Sequence, residues 1–279
     1  MPLPPPLPPI ADQPLSVILL APPPCPGDAD VVAGWLFFLD QLGRDSELIF
    51  AGDAPAELTA LAEQSPRLHI IRPGPFKGEG AALRAGLERA RHPLVFYTLC
   101  QADYKPADLG AFLARRLEGQ EGFEIDHVHL MSGFRAGVPV PWPLRLLGGA
   151  WRVFCRIVFA YGPTKLPGWL GWRRHLGRQA ARTAFGVRYH DVSCPFRLMR
   201  REIFRRIPIQ SDGPLVHLEI LAKANFLSHL MGEEVPLDVV PGPYRGDWPL
   251  LWKEARRLFF RPNFGPAILP PEGEAVAPG

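Results

Sequence analysis

The sequence predicts an α/β fold, in which a mostly parallel sheet is flanked by helices on both faces. Apolar and amphipathic stretches alternate along the first third of the chain in the order β-α-β-α-β-α-β, which is typical of such sheets. The stretch LSVILLA at 15–21 is apolar throughout, as expected of a strand buried on both faces. Two later strand candidates, at 47–53 and 94–103, end in an acidic residue. Because ligands bind at the carboxyl ends of parallel strands, these acids indicate a binding edge.

The other elements follow from hydrophobic spacing along the chain. Helical spacing predicts helices within VVAGWLFFLDQL, AELTALAEQ, GEGAALRAGLERA, VHLEILAKANF and WPLLWKEARRLFFR, while RLHIIR, DHVHLMSGFR and EEVPLDVV (233–240) are predicted strands. Residues 15–261 are therefore interpreted as one domain. The Pro-rich segments 1–14 and 262–279 are predicted to be a disordered lead and tail.

Cysteine usage and the N-terminal sequence indicate the compartment. The four cysteines are far apart and form no CxxC pair, which favours a reducing compartment without a structural zinc site. The N-terminus has no basic stretch followed by an apolar run, so it does not resemble a signal peptide. We therefore expect a cytoplasmic protein.

The charge distribution predicts an anionic partner for the middle of the chain. Residues 133–206 carry 15 Lys and Arg against two acidic residues, although the net charge of the whole chain is only +3. The partner could be a membrane surface, a phosphorylated substrate or nucleic acid. Segment 139–186 combines Trp and Phe with arginines, which favours amphipathic helices at the inner face of the membrane over helices that only pack on the sheet. We expect peripheral attachment and consider a nucleic-acid binder the weakest of these alternatives.

Three residues are expected to meet at the carboxyl edge of the sheet, namely Asp53, Lys77 and Asp103. Asp53 could bind a nucleotide base or ribose, or cap the next helix. The loop GPFKGEGAAL lacks the spacing of a phosphate-binding P-loop. Gly78 and Gly80 precede a helix whose first N–H groups could face a ligand, but an ordinary surface turn explains the glycines equally well.

The stretch HDVSCPFRLMRRE at 190–202 has the highest local density of arginine beside an acid. If it is helical, Arg197, Arg200 and Arg201 lie on one face, because residues three and four apart are neighbours on a helix. Three guanidinium groups beside Asp191 would form a seat for a diphosphate or a lipid phosphate. A solvated basic helix end is the alternative interpretation.

Taken in order, these segments resemble family 2 glycosyltransferases of the GT-A fold, in the branch of dolichyl-phosphate mannose synthases and bacterial polyprenyl-phosphate sugar transferases. The resemblance runs from Leu15 to about Arg257 and rests on ELIFAGD, KGEGAALRAGLERA, LVFYTLCQADYKPADL, SGFR, HDVSCPFRLMRRE, EEVPL and Tyr244-Arg245-Gly246. The most specific match is HDVSCPFRLMRRE, against an Asp-x-x-Cys-Gly-Phe-Arg…Arg-Arg segment. The nucleotide-sugar-binding residues that the resemblance implies are Asp53, Lys77, Gly78, Gln101, Arg135, Glu219 and Arg245.

The metal site of the family is degenerate in this sequence. With Pro106 as the anchor, the two aspartates of the Asp-x-Asp motif fall on Leu99 and Gln101, and Asp103 takes the place of a following Gln. The first strand ends in APPPCPGD where the family has Pro-x-x-Asn-Glu. Asp103 could still hold Mg²⁺ or Mn²⁺ together with the substrate diphosphate, because Mg²⁺ binds through few protein ligands.

The resemblance implies an inverting transfer of a sugar from a nucleotide-diphosphate donor to a polyprenyl phosphate or another membrane-associated acceptor, such as a glycan. Arg135, Arg197, Arg200 and Arg201 would then stabilise the charge on the departing diphosphate. For a hydroxyl acceptor, Asp191 is the candidate base and Glu219 the second choice, although Asp191 could instead be the ion-pair partner of the arginines. An inactive relative that binds nucleotide sugar or membrane is the alternative function.

Overall fold

The computed structural model describes residues 13–21, 27–72, 78–114, 129–135, 181, 185–187, 189–227, 231–239 and 248–261. The strands in these ranges are β1 (Leu15–Ala21), β2 (Ser46–Gly52), β3 (Leu68–Ile71), β4 (Leu94–Leu99), β5 (Leu130–Arg135), β6 (Arg197–Arg200) and β7 (Met231–Leu237). The helices are α1 (Asp28–Gln41), α2 (Ala56–Gln64), α3 (Glu79–Arg89), α4 (Pro106–Ala114), α5 (Val216–Phe226) and α6 (Trp248–Phe260), with a 3-10 helix at Arg201–Arg205. The strands form one sheet in the order β3-β2-β1-β4-β6-β5-β7.

The sheet is parallel except at β6, which runs antiparallel to both of its neighbours, β4 and β5. The three central parallel strands are buried along nearly their whole length, which explains their continuous apolar sequences. One apolar core cluster lies between the sheet and α3, α5 and α6, and the other between the sheet and α1, α2 and α4. The predicted α/β class, with helices on both faces of a mostly parallel sheet, is confirmed.

The helical interpretation of 190–202, on which the shared face of the three arginines depends, is wrong. Arg197–Arg200 form β6, and the 3-10 helix begins only at Arg201. The apolar residues decide this: Leu198 belongs to one core cluster and Met199 to the other, as the two-residue period of a strand requires. The sequence interpretation gave weight to the arginines and overlooked the apolar residues between them, which must be buried on opposite faces.

Two boundaries also differ from expectation. Gln13, which we placed in the disordered lead, is buried, and its backbone carbonyl accepts a hydrogen bond from Arg44 Nη1. β7 begins two residues before the predicted 233–240 strand and contains Pro236. As β7 is the last strand of the sheet, Pro236 lies on an edge strand, where the missing N–H is tolerated.

Candidate functional site at the carboxyl edge of the sheet

Two exposed acidic residues lie at the carboxyl edge, on either side of β1. Asp53 directly follows β2, and Asp103 lies in the turn after β4. Cys100 N donates to Leu20 O at 2.8 Å and keeps the end of β4 paired with β1. Tyr104 N donates to Gln101 O at 3.1 Å, which closes a turn that leaves the side chains of Gln101 and Asp103 exposed. Asp53 and Asp103 therefore lie at the same edge of the sheet.

Asp191 reaches the same edge but is occupied by an ion pair. Arg135, the last residue of β5, donates from Nε to Asp191 Oδ2 at 2.6 Å and from Nη2 to Oδ1 at 2.8 Å. Ser193 Oγ donates to the same Oδ1 at 3.0 Å. Burial alone would lower the pKa of Arg135, but the charge and hydrogen bonds of Asp191 raise it above its ordinary value. Asp191 therefore has the geometry of an ion-pair partner, the alternative that the sequence left open.

A chain of hydrogen-bonded side chains, buried at Tyr97 and His217 and half-buried at Glu79, connects β4, α3 and α5 behind this edge. Tyr97 Oη lies 3.1 Å from His217 Nδ1, and His217 Nε2 lies 2.6 Å from Glu79 Oε2. Burial raises the pKa of Tyr97 to about 12. Burial also lowers the pKa of His217, and the hydrogen bond and charge of Glu79 oppose that shift. Sequence reasoning missed these residues, since a lone histidine in a mostly apolar helix is no signal until its partners, 120 and 138 positions away, are known.

Arg197 is part of the same buried chain and does not face a ligand. Its side chain is fully buried, Nη1 donates to the carbonyl of His217, and Nη2 donates to the carbonyl of Val192 at 2.8 Å. These bonds hold the start of α5 against the loop before β6. Arg197 thus takes a structural position at the carboxyl edge, in contrast to the open diphosphate seat that the sequence predicted.

Arg200 and Arg201 lie at the opposite edge of the sheet. Because β6 is antiparallel to β4, Tyr97 pairs with Arg197 near the carboxyl end of β4, whereas Arg200 pairs with Leu94 at its amino end. Arg201 N donates to Pro93 O at 2.8 Å, also before β4 begins. The expectation that all three arginines share one face is therefore wrong, because a strand carries its residues from one edge of the sheet to the other.

The loop at 210–213 covers the start of α3 and uses the N–H groups that we considered for ligand binding. Gly80 N and Ala81 N both donate to Asp212 O, at 2.8 and 3.2 Å. Gly78 has φ of +148°, and a Cβ atom at this position would collide with the same Asp212 carbonyl. Gly78 is thus required for a close approach of two backbones, and the N–H groups of Gly80 and Ala81 in the first turn of the helix are bonded within the protein.

Glu219 holds this loop in place. Its Oε1 accepts from Gln210 N at 2.9 Å and from Lys223 Nζ at 2.6 Å, and its Oε2 accepts from Ser211 N at 2.8 Å. Burial lowers the pKa of Lys223, and the neighbouring Glu219 opposes the shift. Both carboxylate oxygens are engaged inside the protein, so the geometry favours loop support over a role as second base or sugar ligand.

The oxygen-bearing side chains at the carboxyl edge determine whether the site can bind a divalent cation. Within the described ranges, no three His, Cys, Asp or Glu side chains are grouped as metal ligands. Asp103 supplies one exposed carboxylate, and Gln101 supplies an exposed amide oxygen in the same turn. Mg²⁺ is commonly bound by one or two carboxylates, several waters and substrate phosphates. This donor set therefore fits a cation that arrives with a diphosphate, and it does not form a cage that would hold the ion alone.

Some predicted residues lie outside the described part of the chain. These are Lys77, Arg245 and nearly all of the 139–186 segment, so their assignments stay predictions. No helix among the described residues is both long and apolar enough to cross a bilayer.

No known protein-family model matches this sequence, and no curated protein matches it either. Solved structures do match. Glucosyl-3-phosphoglycerate synthase from Mycobacterium tuberculosis, in complex with Mn²⁺, UDP and phosphoglyceric acid, aligns at 16% identity over 89% of this chain and 76% of that chain, with a TM-score of 0.55. The chain has the GT-A-type fold. Because the identity is low, the likeness establishes the GT-A fold alone.

Two further structures of that synthase agree with this result. Its complex with Mn²⁺ and UDP-glucose aligns at 17% identity over 89% of this chain and 77% of that chain, with a TM-score of 0.52. Another crystal structure of it gives 16% identity over 86% and 76% of the two chains, with a TM-score of 0.54. These matches agree with the GT-A fold that the sequence resemblance predicted for this chain. The matched enzyme is, however, named for phosphoglycerate and not for a polyprenyl phosphate.

Proposed function

We propose that this protein is a glycosyltransferase that uses a nucleotide-diphosphate sugar. The observation that carries the proposal is the pair of exposed carboxylates, Asp53 and Asp103, which flank β1 at the carboxyl edge of a GT-A-type sheet. This is the edge at which open α/β sheets bind ligands. The synthase with the same fold is crystallised with UDP-glucose and Mn²⁺, which supports a UDP-linked sugar as the first donor to test.

In this proposal Asp53 accepts hydrogen bonds from the base or ribose of the donor. Asp103, with Gln101 beside it, holds Mg²⁺ or Mn²⁺ against the diphosphate. The bound cation supplies positive charge to the leaving diphosphate. Arg197 and Arg135 already donate to protein groups, so they do not offer the leaving diphosphate the open donors that the arginine-rich sequence predicted.

The acceptor is proposed to carry a phosphate group. Both the phosphoglyceric acid bound by the matched synthase and the polyprenyl phosphate implied by the sequence resemblance meet that description. A phosphate oxygen is already ionised near neutral pH. A phosphate oxygen as nucleophile therefore requires no strong base, which suits a site in which Asp191 is committed to Arg135. A hydroxyl nucleophile would require a base other than Asp191.

Thermal denaturation with UDP-, GDP- and CDP-linked sugars, with and without Mg²⁺ or Mn²⁺, tests donor binding. A ligand at one hundred times its Kd stabilises the fold by about 2.7 kcal/mol, which raises the melting temperature by several degrees. We expect Asp103→Asn to remove the metal-dependent part of the shift and Asp53→Asn to weaken binding with or without metal. Glu63→Gln, an exposed carboxylate change on α2, is the matched control and should leave the shift intact. The absence of a shift with every nucleotide sugar counts against the proposal.

Transfer is measured with labelled donor and two acceptors, 3-phosphoglycerate and a short polyprenyl phosphate. Product formed with the first alone identifies a small phosphoacid, and product in the lipid phase identifies a lipid phosphate. The anomeric configuration of the product tests the inversion implied by the family resemblance.

The second candidate function is nucleotide-sugar binding without transfer, which the degenerate Asp-x-Asp motif favours. Gln101→Asp tests it, because this side chain is exposed and tolerates a new charge, whereas Leu99 packs against both core clusters. Transfer that appears only in Gln101→Asp supports the inactive-relative interpretation. The nucleic-acid alternative rests on the middle of the chain and stays a prediction.

A further inference from the structure

Helix α6 is fixed to the protein along one side. Glu254 Oε1 accepts hydrogen bonds from Asp212 N and Gly213 N, both at 2.7 Å. Leu258 is buried in the core cluster of that face, and the ring of Phe259 lies 5.0 Å from that of Phe185. The orientation of the helix is therefore set by its contacts, and so is the face that it presents to solvent.

The solvent face of α6 and the residue after it combine aromatic and cationic side chains. Trp252 is 76% exposed and Phe260 is 80% exposed. Positions 252, 256 and 260 form one stripe at four-residue spacing, and positions 253, 257 and 261 form the adjacent stripe. The exposed members of the two stripes, which we call the α6 surface, are Trp252, Lys253, Arg256, Phe260, Arg257 and Arg261. The one acidic residue of this helix, Glu254, lies on the docked side.

An open hollow of about 500 Å³ lies against this surface. Among the described residues that line it, all except Phe260 are cationic, namely Lys253, Arg256, Arg257 and Arg261. Guanidinium and ammonium groups that converge on a hollow favour phosphate oxygens. A further exposed aromatic ring, that of Phe226 at 58%, contacts the buried ring of Phe185, which in turn contacts Phe259 on the docked side of α6.

We propose that the α6 surface docks on an anionic lipid bilayer. Headgroup phosphates occupy the basic hollow, and Trp252 and Phe260 enter the boundary between headgroups and acyl chains. Bulky aromatic and cationic side chains on the solvent face of an amphipathic helix are the composition of an interfacial helix. A binding site for a soluble anion would explain the cationic side chains, but it would not explain why the large apolar side chains of Trp252 and Phe260 are exposed to water. The inference does not depend on the proposed glycosyltransferase activity.

Vesicle flotation with the full chain tests this proposal. The probes are vesicles of phosphatidylcholine alone and vesicles that also contain about one-third phosphatidylglycerol. We expect binding to the anionic vesicles only, and weaker binding at high salt. The charge variant, Lys253→Gln with Arg256→Gln and Arg257→Gln, should lose affinity on the order of one hundredfold. The aromatic variant, Trp252→Ala with Phe260→Ala, should lose at least about tenfold.

The matched control variants remove the same kinds of side chain from other surfaces of the protein. Arg67→Gln with Arg91→Gln and Arg206→Gln removes three exposed cations from other surfaces, and Phe37→Ala removes an aromatic ring that is 65% exposed on α1. Both controls should keep binding within about twofold. Circular dichroism and thermal melting verify that every variant is folded.

Three outcomes overturn the proposal. The first is equal binding of the wild type to neutral and anionic vesicles, or to neither. The second is wild-type binding by both α6 variants, which would assign membrane attachment to another segment such as 139–186. The third is tight, salt-dependent binding of single-stranded RNA that both α6 variants lose while vesicles stay unbound, which would make this surface a nucleic-acid site.

Discussion

Asp191→Asn distinguishes a structural carboxylate from a catalytic one. The Asp191 and Arg135 side chains are only 6% and 12% exposed, so solvent screens their attraction little. Removing one partner of a buried ion pair costs about 3–5 kcal/mol, because the other charge stays buried without compensation. We expect a loss of this size, which corresponds to a fall in melting temperature on the order of 10 °C.

Urea denaturation followed by circular dichroism measures the loss, and a double-mutant cycle assigns it. Asp191→Leu and Arg135→Met should each be strongly destabilising, and their combination should recover much of the loss, because replacing both charges by apolar groups is often nearly neutral. We expect a coupling energy of about 2 kcal/mol. Ser193→Ala is the matched control. It removes the hydrogen bond to Asp191 Oδ1 and the one accepted from Arg135 Nη2 but keeps both charges, and because Ser193 is exposed it should cost about 1 kcal/mol.

One result would refute this reasoning. If Asp191→Asn changes the free energy of unfolding by less than about 0.5 kcal/mol and abolishes sugar transfer, Asp191 is the base that the sequence suggested. A coupling energy near zero would equally show that the ion pair does not contribute to the fold in solution.

Three further predictions concern the groups around this edge. His217 is buried and its pKa is lowered, so the unfolded chain takes up a proton first as the pH falls through 6.5, and stability should decline there by up to about 1.4 kcal/mol per pH unit. Urea titrations at several pH values should show a smaller slope in His217→Gln, and an unchanged slope would contradict the prediction. Gly78→Ala should destabilise the fold by more than about 1 kcal/mol through its positive φ and backbone collision. Gly34→Ala lies at an exposed position in the middle of α1 with open space around it, and it should stabilise the fold by about 1 kcal/mol. A higher melting temperature in calorimetry for Gly78→Ala than for Gly34→Ala would refute both expectations. Glu219→Gln should cost about 3–5 kcal/mol by removing the negative charge that balances the buried Lys223 ammonium, and adding Lys223→Met should recover part of the loss in the same measurement.

The sequence determined the α/β class and the alternation of strands and helices in the first part of the chain. The continuous apolar runs of β1, β2 and β4 require burial on both faces, and only a sheet between two helical layers provides it. The helices at 56–64 and 216–226 are found with the predicted bounds, since their apolar spacing is local information. Asp53 and Asp103 reach one edge because the carboxyl ends of parallel strands must do so.

Only the tertiary structure decided the roles of the charged residues. Arg197 is buried at the carboxyl edge and Arg200 lies at the amino edge, because β6 enters the sheet antiparallel to β4. The partners of Asp191 and His217 lie 56 and 138 positions away along the chain. Periodicity within a short window fixes helix, strand and buried face, whereas the partner of a charge depends on which distant elements pack together. That dependence is why Asp191 could be proposed as a base from the sequence and is found paired with Arg135 in the folded protein.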